Sequence, residues 1–159
     1  MTSKVFYCGH PTEINLSDQV NSYKYIKNII IPNQLLDDAK LLSKIKYFKI
    51  TKNDKIKNLL ENLKKHQNDE ITCIFAYGQH LQKALSVVEL YKTKILLPDK
   101  VVFKQWNRLL SFDVISQGKN ELLDKKIKVP ILLIFITTNK EHFKLETFIN
   151  ETNGFSEQE

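Results

Sequence analysis

The stretch Ala76–Leu85, AYGQHLQKAL, packs a glycine, a histidine, two glutamines and a lysine behind the apolar run that ends at Phe75. Residues of this kind at the start of a helix suit an anion. Gly78 stands where a strand must turn into a helix, and glycine accepts a positive φ while leaving backbone amides open. The first turn beyond it offers unpaired N–H groups at the positive end of the helix dipole. Phosphate is welcome there. Lys83 follows Gln79 by one helical turn and can reach the same anion. His80 can donate to a phosphate or cap the helix, and Tyr77 can stack on a base or pack on a sugar. The same residues also make an ordinary glycine turn with solvated neighbours, and both readings stay open at this point.

Two further groups of residues fit the same chemistry. Lys52, Asn53 and Lys55 surround the start of an earlier helix. If both helices begin on one rim of a sheet, these residues and Gly78–Lys83 form a single basic ledge. In the strand after the second helix, Lys104, Trp106 and Arg108 share one face by alternation. A tryptophan between two cations is a stacking platform for an unpaired base, worth about 1–3 kcal/mol, or else a cap on the core with cations at its edges. Lys119, Lys125, Lys126 and Lys128 lie in a charged connection, read as a solvated turn that can touch phosphate.

Catalytic chemistry is poorly supported. No paired-carboxylate motif, nucleophile elbow or phosphate-binding lysine loop occurs. Cys73 lies along a buried strand with no cue for a stabilised thiolate. Nothing places Asp113 near His80. Cys8 and His10 are too isolated for a zinc site. The expectation is a protein with no catalytic residues of its own, no metal and no cofactor.

The elements that position these residues follow from periodicity. Lys44–Ile50 alternates as a strand. Thr51–Asp54 resembles a capping box, and Ile56, Leu59, Leu60 and Leu63 then repeat at helical spacing through His66. Glu70–Ala76 reads as a strand buried on both faces. Leu81, Ala84, Leu85, Val88 and Tyr91 stripe the second helix. Val87 and Leu90 widen the stripe beyond one sheet face, which points to a partner surface including Leu85, Val88 and Tyr91. Val101–Val114 and Val129–Thr137 read as the last two strands, with Pro130 at an edge or bulge. The order is β-α-β-α-β-β, an α+β two-layer fold with a four-stranded mixed sheet and both helices on one face.

This core is expected over residues 41–138. Residues 1–40 form an amino-terminal extension with one helix, capped by Ser17 or Asp18, striped by Val20, Tyr23, Ile26 and Ile30 and ended by Pro32. Residues 139–159 form a polar tail. The 159 residues carry a formal net charge of +6, almost wholly from lysine, with Arg108 as the one arginine. A basic balance suits a polyanion such as RNA but does not require one. Two cysteines make no disulfide framework, so a reducing, intracellular setting is expected. No stretch has the length of a membrane span or the pattern of a signal peptide, so no membrane partner is expected.

ITCIFAYGQHLQKALSVVELYK, Ile71–Lys92, resembles the signature region of the Alba superfamily, in which a strand, a glycine turn and a lysine–alanine step follow one another. Here these are Gly78, His80, Leu81, Lys83 and Ala84. YG-x-H-L-Q-K at Tyr77–Lys83, QWN-x-L-x-SFD at Gln105–Asp113, GKNEL at Gly118–Leu122 and KVPIL at Lys128–Leu132 are similar to the Pop-type branch found in yeast ribonuclease P and RNase MRP. The resemblance covers roughly residues 45–136. It implies a non-catalytic, nuclear and nucleolar subunit serving tRNA and rRNA processing. It further implies heterodimer formation with a second Alba-like subunit, contact with a larger Pop-type scaffold subunit, and a grip on an internal-loop helix of structured RNA, telomerase RNA being a second candidate. A general chromatin or nucleic-acid-coating protein is the alternative. Two departures stand out: Tyr77 and Gln79 flank the glycine where archaeal Alba proteins usually place arginines, and Lys52–Asn53 replaces the usual lysine pair.

Overall fold

The computed structural model describes residues 3–67, 71–116 and 125–158. β3 (Ile45–Lys49), α4 (Ile56–His66), β4 (Ile71–Tyr77), α5 (Leu81–Tyr91), β5 (Lys104–Ser116) and β6 (Lys125–Thr137) follow in the expected order. β3 and β4 pair in parallel, while β4–β6 and β5–β6 pair antiparallel. The core sheet is therefore mixed, ordered β3-β4-β6-β5. β4 is buried at every position, as a strand covered on both faces must be. Its Ile74 and Ala76 join Leu59, Leu63, Ala84, Val87, Val88 and Tyr91 under the two core helices.

The other face is covered by the ends of the chain. β1 (Ser3–Tyr7) adds to the sheet beside the far half of β5, and β2 (His10–Pro11) pairs with β1. A helical segment runs from α1 (Gln19–Tyr25) through a π-helical turn, Ile26–Ile30, into α2 (Ile31–Gln34), and α3 (Ala39–Leu42) follows. Asp18 caps α1 by accepting from the Asn21 N–H. Pro32 does not end the helix as expected. It sits in the first turn of α2, directly after the π turn, where a proline's missing N–H is tolerated. Val20 also leaves the expected stripe, being 57% exposed, while Tyr23, Ile26 and Ile30 are buried.

The last segment packs too. α6 (Glu146–Ile149) carries Phe148 inward, Phe155 follows it, and β7 (Ser156–Gln158) pairs with Gln105–Asn107 of β5. Val5, Tyr23, Ile30, Phe75, Phe112, Phe148 and Phe155 belong to one apolar cluster, so both ends of the chain share a core with the sheet. Among the described residues, no helix is long and apolar enough to cross a membrane.

Pro130 lies one residue past Ile131, the last β6 residue paired with β4, so its lacking N–H falls where β6 has β5 as its neighbour. The strand pairing of β6 begins at Lys125, earlier than the apolar pattern suggested. Backbone pairing with Val114–Ser116 holds Lys125–Ile127 in the ladder although their side chains are exposed. Lys119 lies outside the described residues.

Candidate nucleic-acid interface

Parallel β3 and β4 end on the same border of the sheet, so the chain leaves both strands there and starts α4 and α5 side by side. Gly78 makes the second exit with φ +60°, the left-handed backbone its type permits. A short 3₁₀ turn, Gly78–His80, then leads into α5. Neither helix start receives a side-chain cap: Lys55 precedes α4 and His80 precedes α5, each without such a bond. Asp54 instead closes its own loop, accepting from the Thr51 N–H and hydroxyl at 2.8 Å each. The expected capping box is thus a loop clasp one residue short of the helix.

Lys83 joins the two starts. Its ammonium donates to the Thr51 carbonyl at 2.6 Å, the Lys52 carbonyl at 3.2 Å and the Asp54 carbonyl. Sequence spacing aimed Lys83 at a phosphate; the structure uses it first as a brace between α5 and the β3–α4 loop. Lys52, Gln79, His80 and Lys83 together line a shallow pocket of about 280 Å³. Lys52, Asn53, Lys55 and Gln79 are exposed around it, and Gly78 is half-buried. Lys52 and Gly78–Lys83 therefore lie together on one border of the sheet.

β6 extends this border. Residues 125–130 run past the point where β4 stops, and a Cβ on Gly78 would meet Val129 Cγ1 at 3.5 Å. The exposed Lys125, Lys126 and Lys128 thus stand on an arm beside the ledge. Lys126 lies 3.9 Å from the Asp113 carboxylate across the arm. Residues 125–128 are all exposed, so no apolar alternation in the sequence marks them as strand.

Two expected contacts beside the glycine turn inward. Tyr77 is buried, and its hydroxyl donates to the Leu16 carbonyl at 2.7 Å, pinning the extension across the sheet. Tyr77 therefore offers no face to a base. Its ring packs against His80, centroids 5.8 Å apart, and Tyr23 packs against both. His80 is buried in this aromatic nest. Burial, with help from the nearby Lys83 charge, lowers its pKa against the opposing pull of Asp54, so the neutral imidazole is favoured.

The expected stacking platform on β5 is also covered. Trp106 is 1% exposed and stacks on Phe148 at 4.7 Å with an 11° interplanar angle. Arg108 donates to the Gly154 carbonyl at 2.8 Å, and Lys104 pairs with Glu157 at 3.2 Å. Gln105 and Asn107, on the opposite side of alternation, bond each other at 3.0 Å. Lys104, Trp106 and Arg108 hold the carboxy-terminal segment. The face was legible, but the segment that covers it has only scattered aromatics and no helical or strand period to announce it.

The expected partner surface divides similarly. Val88 and Tyr91 are buried in the core under α5, whereas Leu85 remains 47% exposed. The wide apolar stripe is explained by α4 packing against α5 as well as the sheet below. Leu109, opposite Leu132 in the β5–β6 register, is exposed too. Cys73 is fully buried, and burial pushes its thiol well up, which leaves it inert. Among the described residues, no cluster of His, Cys, Asp and Glu could hold a metal ion.

A β-α-β-α-β-β sheet with two helices on one face and a basic border at the helix starts is the α+β architecture that the Alba resemblance implied. No protein-family model matches the chain. A solved structure, Alba from Thermoplasma volcanium, aligns with 20% identity and a TM-score of 0.41, over 58% of this chain and 99% of that one. "Ribonucleases P/MRP protein subunit POP6" of Saccharomyces cerevisiae is 32% identical over 148 residues, covering 88% of this chain and 92% of the relative. The chain belongs to the family of that ribonuclease P/MRP protein subunit.

Proposed function

We propose that the chain is a non-catalytic, RNA-binding protein subunit of a nuclear ribonuclease P/MRP-type particle, in which RNA performs the hydrolysis. The supporting observation is the single border on which Lys83 ties the start of α5 to the Lys52 loop. Exposed lysines on that loop, two helix starts without side-chain caps and the Lys125–Lys128 arm place positive charge on one border. Such a border follows a folded phosphate backbone, which mainly positions a protein on its RNA. The RNA-facing set is Lys52, Asn53, Lys55, Gly78 and Gln79, with Lys83 bracing them and the arm lysines extending them.

Family membership supports the remaining particulars. The chain works as one half of a heterodimer with a second Alba-like subunit, docked through exposed apolar groups that include Leu85 and Leu109, and meets a larger Pop-type scaffold subunit. The RNA element is an internal-loop helix of the ribonuclease P or MRP RNA, and telomerase RNA is a further partner of the same shape.

Affinity purification of the tagged full chain, with sequencing of the co-purified RNA, should enrich ribonuclease P and MRP RNAs. In the purified assembly, about five neutralised phosphates give a log–log salt slope of about −4 to −5. A slope near zero, or duplex DNA competing as well as looped RNA, would refute the proposal.

A further inference from the structure

On the sheet face opposite α4 and α5, a pocket of about 270 Å³ opens between α1 and the β3 edge. It is lined by Val20, Tyr23, Lys24, Lys27, Tyr47, Lys49 and Phe75. Tyr23 and Phe75 are almost wholly buried and form its floor. Their rings meet at 71° with centroids 5.6 Å apart, and Tyr47 meets Phe75 at 88° and 6.3 Å. The result is an aromatic cup. Lys24, Lys27 and Lys49 are exposed at its mouth, and the Lys27 ammonium lies 5.0 Å from the Tyr47 ring centroid. Among the described residues, no carboxylate lines it.

An aromatic cup ringed by cations alone calls for a flat, apolar-faced group attached to negative charge. One nucleotide has that form: a base that every aromatic ring can stack, carried between phosphates. The volume falls just under the range of drug-sized ligand sites, which admits one base with its sugar. The cup is also next to the ledge. Tyr23 donates to the Ile50 carbonyl, and Lys49 precedes Lys52 by three residues around the same edge. A strand whose phosphates lie on the ledge reaches the cup by turning over the end of β3.

We propose that this pocket captures one unpaired nucleotide of the RNA held on the ledge, its base against the half-exposed Tyr47 ring above the buried Tyr23–Phe75 floor and its flanking phosphates on Lys24, Lys27 and Lys49. The inference rests on the RNA-binding reading and adds where an unpaired residue is recognised.

The test uses the full chain and two hairpins of equal stem, one with an internal loop and one fully paired, with 2-aminopurine placed at each unpaired position in turn. Val20→Trp fills the pocket from an exposed position without changing charge. Lys27→Gln with Lys49→Gln removes mouth charges from exposed sites. Thermal melts check that each variant folds. Wild-type protein should quench one 2-aminopurine position and prefer the looped hairpin. Val20→Trp should abolish that quench and weaken the looped hairpin about tenfold, the factor one stacking contact supplies, while leaving the paired hairpin unchanged. The lysine pair should make the salt slope for looped RNA shallower by about one to two. Unchanged looped affinity and quench in the folded variants would overturn the pocket while the ledge reading stood. Failure of wild-type protein to bind either hairpin would overturn both. Free adenosine monophosphate saturating the cup at concentrations that leave looped RNA bound would assign a free-nucleotide site and overturn it. Poly-glutamate binding lost in Val20→Trp, with both RNAs held as before, would assign the pocket to an acidic protein tail and overturn it as well.

Discussion

Lys83→Met is the sharpest perturbation of the ledge. It keeps most of the side chain's apolar stem and removes the ammonium that donates to the Thr51, Lys52 and Asp54 carbonyls. Hydrogen bonds from a charged group contribute about 1.5–3 kcal/mol where water is excluded. Lys83 is half-exposed, so water replaces part of what is lost, and about 1.5 kcal/mol is expected for the whole cage. For a chain of this size each kcal/mol moves Tm by about 2–4 °C, so calorimetry should show a fall of about 3–6 °C. The loop carrying Lys52 and Lys55 also loses its tether, and looped-RNA affinity should drop in the same variant. Lys52→Gln is the control. It removes an exposed charge, should leave Tm within about 1 °C, and should make the salt slope shallower by about one. If Lys83→Met melts like wild type while shifting the slope by about one, Lys83 is a phosphate contact and the brace is refuted.

Gly154→Ala should loosen the carboxy-terminal segment. Gly154 holds φ +80°, and a Cβ there would lie 1.4 Å from an Arg108 guanidinium nitrogen, so Arg108 must swing away from its carbonyl. A cost of about 1–3 kcal/mol is expected, read by melting and by a red shift of Trp106 fluorescence as Phe148 leaves its ring. His80 gives a pH dependence. Its folded pKa lies below the unfolded value of about 6.5, so between the two the unfolded chain binds more protons. Stability is full above about pH 6.5 and is lost as pH falls towards the folded pKa. His142, also buried and lowered, acts with the same sign. Tm measured from pH 7.5 to 5.5 should fall, and His80→Gln should flatten part of that fall.

The core order was legible because its signals are local. Alternation at Ile71–Ala76 and helical spacing from Ile56 and from Leu81 each declare an element within a few residues. Gly78 declares the turn between them, and two parallel strands that each lead into a helix must expose both helix starts on one border. What stayed hidden depends on distant partners. Tyr77 and Trp106 looked like stacking groups because an aromatic side chain carries no mark of what will cover it. Leu16 lies 61 residues before Tyr77 and Gly154 lies 46 after Arg108, and neither contact has a spacing rule. The brace made by Lys83 stayed hidden for the same reason. Its acceptors are carbonyls, which every residue has.

The inward contacts of Tyr77, Trp106 and Arg108 limit what kind of recognition the molecule can perform. Arginine's planar fork reads phosphate or guanine with two directed bonds, whereas lysine offers a compact charge without that geometry. Here the one arginine is turned to the Gly154 carbonyl, and the cations along the border are lysines. Lysine contacts hold the RNA backbone and fix register but carry little base information. With Tyr77 and Trp106 committed to the core, the β5 face and the glycine turn no longer offer base stacking. On the proposed function, discrimination between looped and fully paired RNA then comes from shape and from a place that accepts an extruded base. The aromatic cup over the β3 edge has that form, and its neighbouring lysines continue the charge of the ledge. Substitutions on the ledge should therefore weaken looped and paired RNA alike, while substitutions in the cup should alter the ratio between them.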